Sequence, residues 1–174
     1  MIKIGRPDIK DAPSWYPYYF NLAEGDDLIE ALRNNQKQMP GFIGSIPASK
    51  ENFKYAPGKW TVKQVLIHIG DDERYYSYKS FCYSRQINVH LEVPPAGPIY
   101  AKHFNASSRT LKDIAEELYM IREATISLFS NMTNEMLDFK DFPSKDIYSA
   151  RSLGWMVVGH SVHHCRFLKE NYLV

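Results

Sequence analysis

Four stretches of the chain carry apolar residues at alternating spacings of three and four, the period of one helix face. The clearest is Leu111, Ile114, Leu118, Ile121, Thr125, Leu128 and Met132, with Ser108 or Thr110 placed to cap it. An earlier one starts near residue 23 and holds Leu28, Ile29, Leu32, Met39, Phe42, Ile43 and Ile46. Pro40 and Gly41 fall inside it, so a kink or an early break is expected there. A second helix is predicted from Thr61, because Thr61-Val62-Lys63-Gln64 reads as a capping box. Its stripe is Val62, Val65, Leu66 and Ile69, and it continues past Tyr76 to residues 81–86. The last helix is predicted from Ser149 or Ser152 to about Glu170.

The intervening segments read differently. Residues 1–22 hold Pro7, Pro13, Trp15, Tyr16, Pro17, Tyr18, Tyr19 and Phe20, which predicts an irregular aromatic arm lying over the bundle. Ile87–Ala106 is a long connection rich in proline, either a lid or a crossover. Asn131–Ser149 is irregular, with room for a short helix over Asn134–Leu137. No strand alternation and no internal repeat are found. Four helices of about 18–25 residues would each span about 27–38 Å. The expected fold is therefore all-α: one domain over residues 1–174, an antiparallel four-helix bundle with its long connection between the second and third helices.

Composition narrows the class of function. Of the 174 residues, 44% are hydrophobic and 24% charged, as in ordinary globular domains. No apolar run is long enough for a membrane span, and the first residues contain no apolar signal segment. A cytoplasmic location is the expectation. Net charge is +1, with the cations scattered, so nucleic acid is not an expected partner. Cys82 and Cys165 are the two cysteines, too few and too far apart for a thiol metal site or a disulfide framework. Reduced thiols are expected.

The chemistry concentrates in the last helix. Half of the six histidines, His160, His163 and His164, lie within five residues. On a helical wheel, His160 and His164 fall within about 20° of the centre of the apolar stripe anchored at Leu153. His163 falls at the stripe's edge and reads as a supporting or surface residue. Two adjacent imidazoles in an apolar stripe need partners for their nitrogens, and a shared metal would serve both. The bland alternative is a pair of core histidines that hydrogen-bond locally. His68 flanks the stripe of the second helix, where it could reach a neighbouring helix. Three imidazoles from two helices would leave a coordination position open, as in a catalytic metal site. Asp72 and Glu73 follow His68 closely and are candidates to orient a ligand or act as a general base. Ser161 stands where a His-Glu-x-x-His zinc-protease motif would need Glu, so that motif is absent. Tyr75, Tyr76 and Tyr78 read as packing aromatics, and nothing marks His90 or His103 as ligands.

Three segments resemble the DinB-like and YfiT-like superfamily of metal-dependent proteins. They are Tyr55-Ala56-Pro57-Gly58-Lys59-Trp60 running on to His68 and Asp71-Asp72-Glu73-Arg74, His103-Phe104-Asn105 with Ser108 to Asp113, and Leu153-Gly154-Trp155 through His160 to His163-His164. The resemblance implies a four-helix bundle, commonly a homodimer. It implies a divalent metal, zinc or nickel, held by His68, His160 and His164. It also implies a small-molecule substrate, and in some members a low-molecular-weight thiol as co-substrate.

The expected function is that of a metal-dependent enzyme, a thiol-dependent transferase or a hydrolase. The alternative is a metal-binding stress-response or ligand-binding module without turnover. Arg74, Lys102 and Arg109 are the cations available to a thiol's carboxylates. Trp155, Val158 and Val162 fall opposite the histidine stripe. This second apolar face predicts a homodimer, unless the N-terminal arm covers Trp155.

Overall fold

Thr61 opens its helix as its local sequence dictates. In the computed structural model, which describes residues 2–88, 98–140 and 147–174, the Thr61 hydroxyl accepts from Gln64 N and the Gln64 side chain accepts from Thr61 N. The same economy starts the other long helices, where orphan N–H groups need acceptors. Asp27 accepts from Ile29 N and Glu30 N. Thr110 and Asp113 exchange bonds, as do Ser149 and Ser152. The helices are α1 (Tyr16–Phe20), α2 (Leu28–Gly44), α3 (Val62–Ser84), α4 (Pro98–Ala101), α5 (Leu111–Ser130), α6 (Asn134–Asp138) and α7 (Ala150–Asn171), with 3-10 turns at Ile9–Asp11, Ala48–Lys50 and Ala106–Ser108. Among the described residues there is no strand.

The four long helices form the expected bundle, and their contacts show how the chain runs through it. Leu28 meets Gly154, Asn35 meets Ser161 and Met39 meets Cys165, so α2 and α7 run parallel and in register. Glu73 meets Arg122 and Ser77 meets Thr125, so α3 and α5 are parallel too. His68 meets His164 and Asp72 meets His160, which makes α3 and α7 antiparallel. The bundle therefore combines antiparallel and parallel neighbours. The reason is the long connection after α3, which starts α5 at the same end of the bundle as α3. Residues 89–97 of that connection, with His90, lie outside the described residues, and so does the question of a lid. Its last part packs at the start of α3, where Phe104 meets Trp60 at 5.7 Å between ring centroids.

Two local expectations are corrected. The early break at Pro40 does not occur: α2 continues through it to Gly44. Pro40 is solvent-exposed while Met39 and Ile43 are buried. The lost N–H thus leaves only the Gln36 carbonyl free on the wet side, where water can satisfy it. The N-terminal arm is more regular than expected, since it contains the Ile9–Asp11 turn and α1. It also crosses Trp155. The Trp155 indole donates to Gly5 O at 3.0 Å, and the Arg6 guanidinium lies 4.5 Å above the ring. Trp155 is covered from within the chain, as the alternative to a dimer contact requires.

The core is divided. One apolar cluster, containing Leu28, Leu32, Tyr76, Ile126 and Leu153, fills one end of the bundle. Another, containing Met39, Leu66, Ile69, Leu118 and Leu168, fills the other end. Between them each long helix contributes buried polar residues at one level: Asn35 from α2, His68, Asp72 and Glu73 from α3, Arg122 from α5, and His160 and Ser161 from α7. Burying so much polarity is unfavourable unless the groups satisfy one another or a ligand.

Candidate metal centre

His68, His160 and His164 meet across the α3–α7 interface. One nitrogen from each lies within 4.8 Å of the others. The i, i+4 spacing on α7 points His160 and His164 the same way, and their Nε2 atoms stand 3.0 Å apart. That distance suits one shared proton between neutral rings. It is also close to the separation of about 3.3 Å between two imidazole nitrogens bonded to one tetrahedral zinc at about 2.0–2.1 Å. Trp60 sets its edge against His68 at 4.9 Å, while Tyr76 and Tyr19 flank His160.

Asp72 closes the group. Its Oδ2 lies 3.2 Å from His160 Nε2 and its Oδ1 lies 3.3 Å from His68 Nδ1. The second contact is within ion-pair range but is not aligned as a hydrogen bond, so both atoms are left without one. His164 Nδ1 is likewise buried and unsatisfied. Burial pushes the His68 pKa down to about 4 and that of His164 to about 3, and lowers His160 well below the usual value. Repulsion among the histidines adds to each shift. Burial, with help from the Asp71 charge, raises the Asp72 carboxyl to about 7. Three neutral imidazoles, two of them sharing a proton, thus gather beside a carboxyl group that has no cation next to it. Among the described residues the basic side chains within 4 Å of it are the imidazoles of His68 and His160, and both are neutral.

This donor set fits a divalent metal. Neutral imidazole is the ligating form, the donor type suits zinc and nickel, and a cation would supply the charge that Asp72 lacks. His68, His160 and His164 are the residues that would hold it.

A family model for the DinB superfamily matches residues 31–168. The chain belongs to the DinB superfamily. All three histidines and Asp72 lie in the matched segment of this DinB-superfamily chain. A solved structure, YfiT from Bacillus subtilis, a probable metal-dependent hydrolase with an unusual four-helix bundle topology, aligns with a TM-score of 0.68. It is 14% identical, and the alignment covers 95% of this chain and 90% of YfiT. At that identity the likeness shows the shared fold. Comparison with curated proteins returned no significant match.

The other residues singled out from the sequence are placed elsewhere in this DinB-superfamily bundle. Glu73 is held by Arg122, whose Nε and Nη2 donate to its two oxygens at 2.7 and 2.9 Å. Asp72, and not Glu73, is the carboxylate at the trio. Arg74 and Arg109 both pair with Glu117, and Lys102 is exposed. His163 lies outside the trio, half-buried, with its Nδ1 3.0 Å from the Tyr18 hydroxyl. Sequence reading missed Trp60 and Tyr19 as neighbours of the trio. The available signals were Trp60 just before the Thr61 cap and Gly159 beside His160. A Cβ on Gly159 would lie 2.1 Å from the Tyr19 carbonyl oxygen, so only glycine lets α1 press this closely against the site.

Proposed function

We propose that this DinB-superfamily chain is a metal-dependent enzyme that holds zinc or nickel on His68, His160 and His164. The convergence of three buried or half-buried, neutral imidazoles around an uncompensated carboxylate carries this reading. Bound there, a divalent ion supplies Lewis acidity and lowers the pKa of a water or thiol next to it.

The chain's own residues do the rest. The imidazoles stay unprotonated down to low pH and keep their lone pairs available. Asp72, with Oδ1 unpartnered at the edge of the trio, is placed to take a proton from an incoming nucleophile, and a cation held beside it would keep it ionised. Trp60 packs against the His68 ring and Tyr19 against the His160 ring. The substrate is a small molecule, attacked by water in a hydrolase or by a low-molecular-weight thiol in a transferase.

The test is metal analysis of protein grown with zinc and nickel, followed by turnover assays on esters, epoxides and halides with and without added thiols. About one metal per chain, lost in His160→Ala, supports the reading. Content below about 0.2 per chain, unchanged by that substitution, overturns it. Turnover that requires thiol selects the transferase. A metal-loaded protein with no turnover selects the non-catalytic module.

A further inference from the structure

We propose that Arg122 is the positioning residue of this metal centre, acting through a buried polar strap that ties all four long helices together beside it. The proposal rests on the metal-binding reading above. Arg122 is 4% exposed and Glu73 3% exposed. The guanidinium grips both Glu73 oxygens on α3. Its Nη1 also donates to Leu32 O at 3.1 Å and to Asn35 Oδ1 at 2.8 Å on α2. Asn35 Oδ1 accepts in turn from the Ser161 hydroxyl on α7 at 3.0 Å. The strap hydrogen-bonds none of the three imidazoles.

Its connection to the metal centre is through adjacent residues. Glu73 directly follows Asp72, and Ser161 directly follows His160. Neighbouring helix residues point about 100° apart. The strap therefore holds the faces of α3 and α7 next to those that carry the ligands. A turn of α3 that withdrew His68 or Asp72 would pull Glu73 off Arg122. A slide of α7 that shifted His160 would break Ser161 from Asn35.

Physical chemistry gives this strap a reason beyond stability. Buried ion pairs are often no more stabilising than apolar residues of similar volume, and their best attested use is to set register. The apolar clusters on either side hold through non-directional contacts and tolerate repacking. A metal site does not tolerate it, since its ligand distances hold to within about 0.2 Å. Directional bonds from one rigid, forked guanidinium supply what the apolar layers lack.

The experiment compares zinc affinity, the cobalt(II) absorption spectrum and thermal unfolding across four full-length proteins. They are the wild type, the double variant Glu73→Leu/Arg122→Met, Arg122→Lys and Ser161→Ala. In the double variant we expect metal-free thermal stability equal to or above wild type, with zinc affinity weaker by about tenfold or more and an altered cobalt spectrum. Arg122→Lys keeps the charge without the fork and shows the same loss of affinity. Ser161→Ala leaves the ion pair and shows a smaller change in the same direction. Wild-type affinity and an unchanged spectrum in the folded variants overturn the proposal. Should the double variant not fold, the two single variants decide by the same criteria. Failure of the wild type to take up metal overturns the metal reading itself. Uptake by wild type and variants alike overturns only the role of Arg122.

Discussion

Oδ2 of Asp72 lies 3.2 Å from Nε2 of His160, across the interface between α3 and α7. This contact brings the acid on one helix to a candidate metal ligand on another. It also separates the work of Asp72 from that of the histidines. Asp72→Asn keeps the shape and removes the base. The expected outcome is near-normal metal content with turnover reduced about 10²–10⁴-fold, the usual contribution of a general base. Metal analysis paired with rate measurements checks it, and an unchanged rate would remove Asp72 as the proton acceptor.

Metal should stabilise the bundle, because the unfolded chain does not hold the trio together. At a free zinc concentration of 100 times Kd the expected gain is about 2.7 kcal/mol. For a domain of this size that raises Tm by about 5–11 °C. Thermal unfolding with and without chelator measures it. His160→Ala and His164→Ala should each abolish the shift.

Acid should weaken the metal-free protein in a defined window. The folded state lowers His68 from 6.5 to about 4, His164 from 6.5 to about 3, and His160 as well. Below pH 6.5 the unfolded chain therefore binds protons at these sites that the folded chain refuses, and stability falls as pH drops toward 4. Asp72 acts in the opposite sense: raised from 3.8 to about 7, it makes the fold less stable as pH rises through that range. Three histidines outweigh one carboxylate, so the net slope is a loss on acidification. Urea midpoints in chelator at pH 6.5, 5.5 and 4.5 should decline. The decline should be shallower in His160→Ala by up to about 1.4 kcal/mol per pH unit, the weight of one proton.

Gly159→Ala tests the seating of α1 on the site. Inside a helix, alanine is favoured over glycine by about 1 kcal/mol. Here the added methyl would meet the Tyr19 carbonyl oxygen and carbon at 2.1 and 2.6 Å, and backbone cannot swing away as a side-chain end can. The expected outcome is a destabilisation of about 1–3 kcal/mol, with faster proteolysis near Tyr18 and Tyr19. Equal or greater stability in chemical denaturation would show that α1 moves freely.

Much of the fold was legible because its rules are local. Caps at Thr61, Thr110 and Ser149 depend on residues three apart, and the stripes on α5 and α7 depend on helix geometry alone. The pairing of His160 with His164 belongs to the same class, since four residues make about one turn. Pro40 misled because its effect depends on which side of the helix it faces. The solvent side tolerated it.

The sequence by itself determined the four long helices, the caps at Thr61, Thr110 and Ser149 and the imidazole pair, because each follows from contacts within one or two turns. Tertiary structure decided the rest. The wheel left Asp72 and Glu73 both eligible, since neighbours on a helix face different partners and nothing in α3 names those partners. Packing against α7 turned Asp72 to the histidines, and packing against α5 gave Glu73 to Arg122. Packing also joined His68 to a pair more than ninety residues away in the chain (68 against 160 and 164), and folded Gly5 and Arg6 over Trp155. Such pairings are set by which helix faces meet at the level of the polar layer, a property of the assembled bundle that no single segment carries.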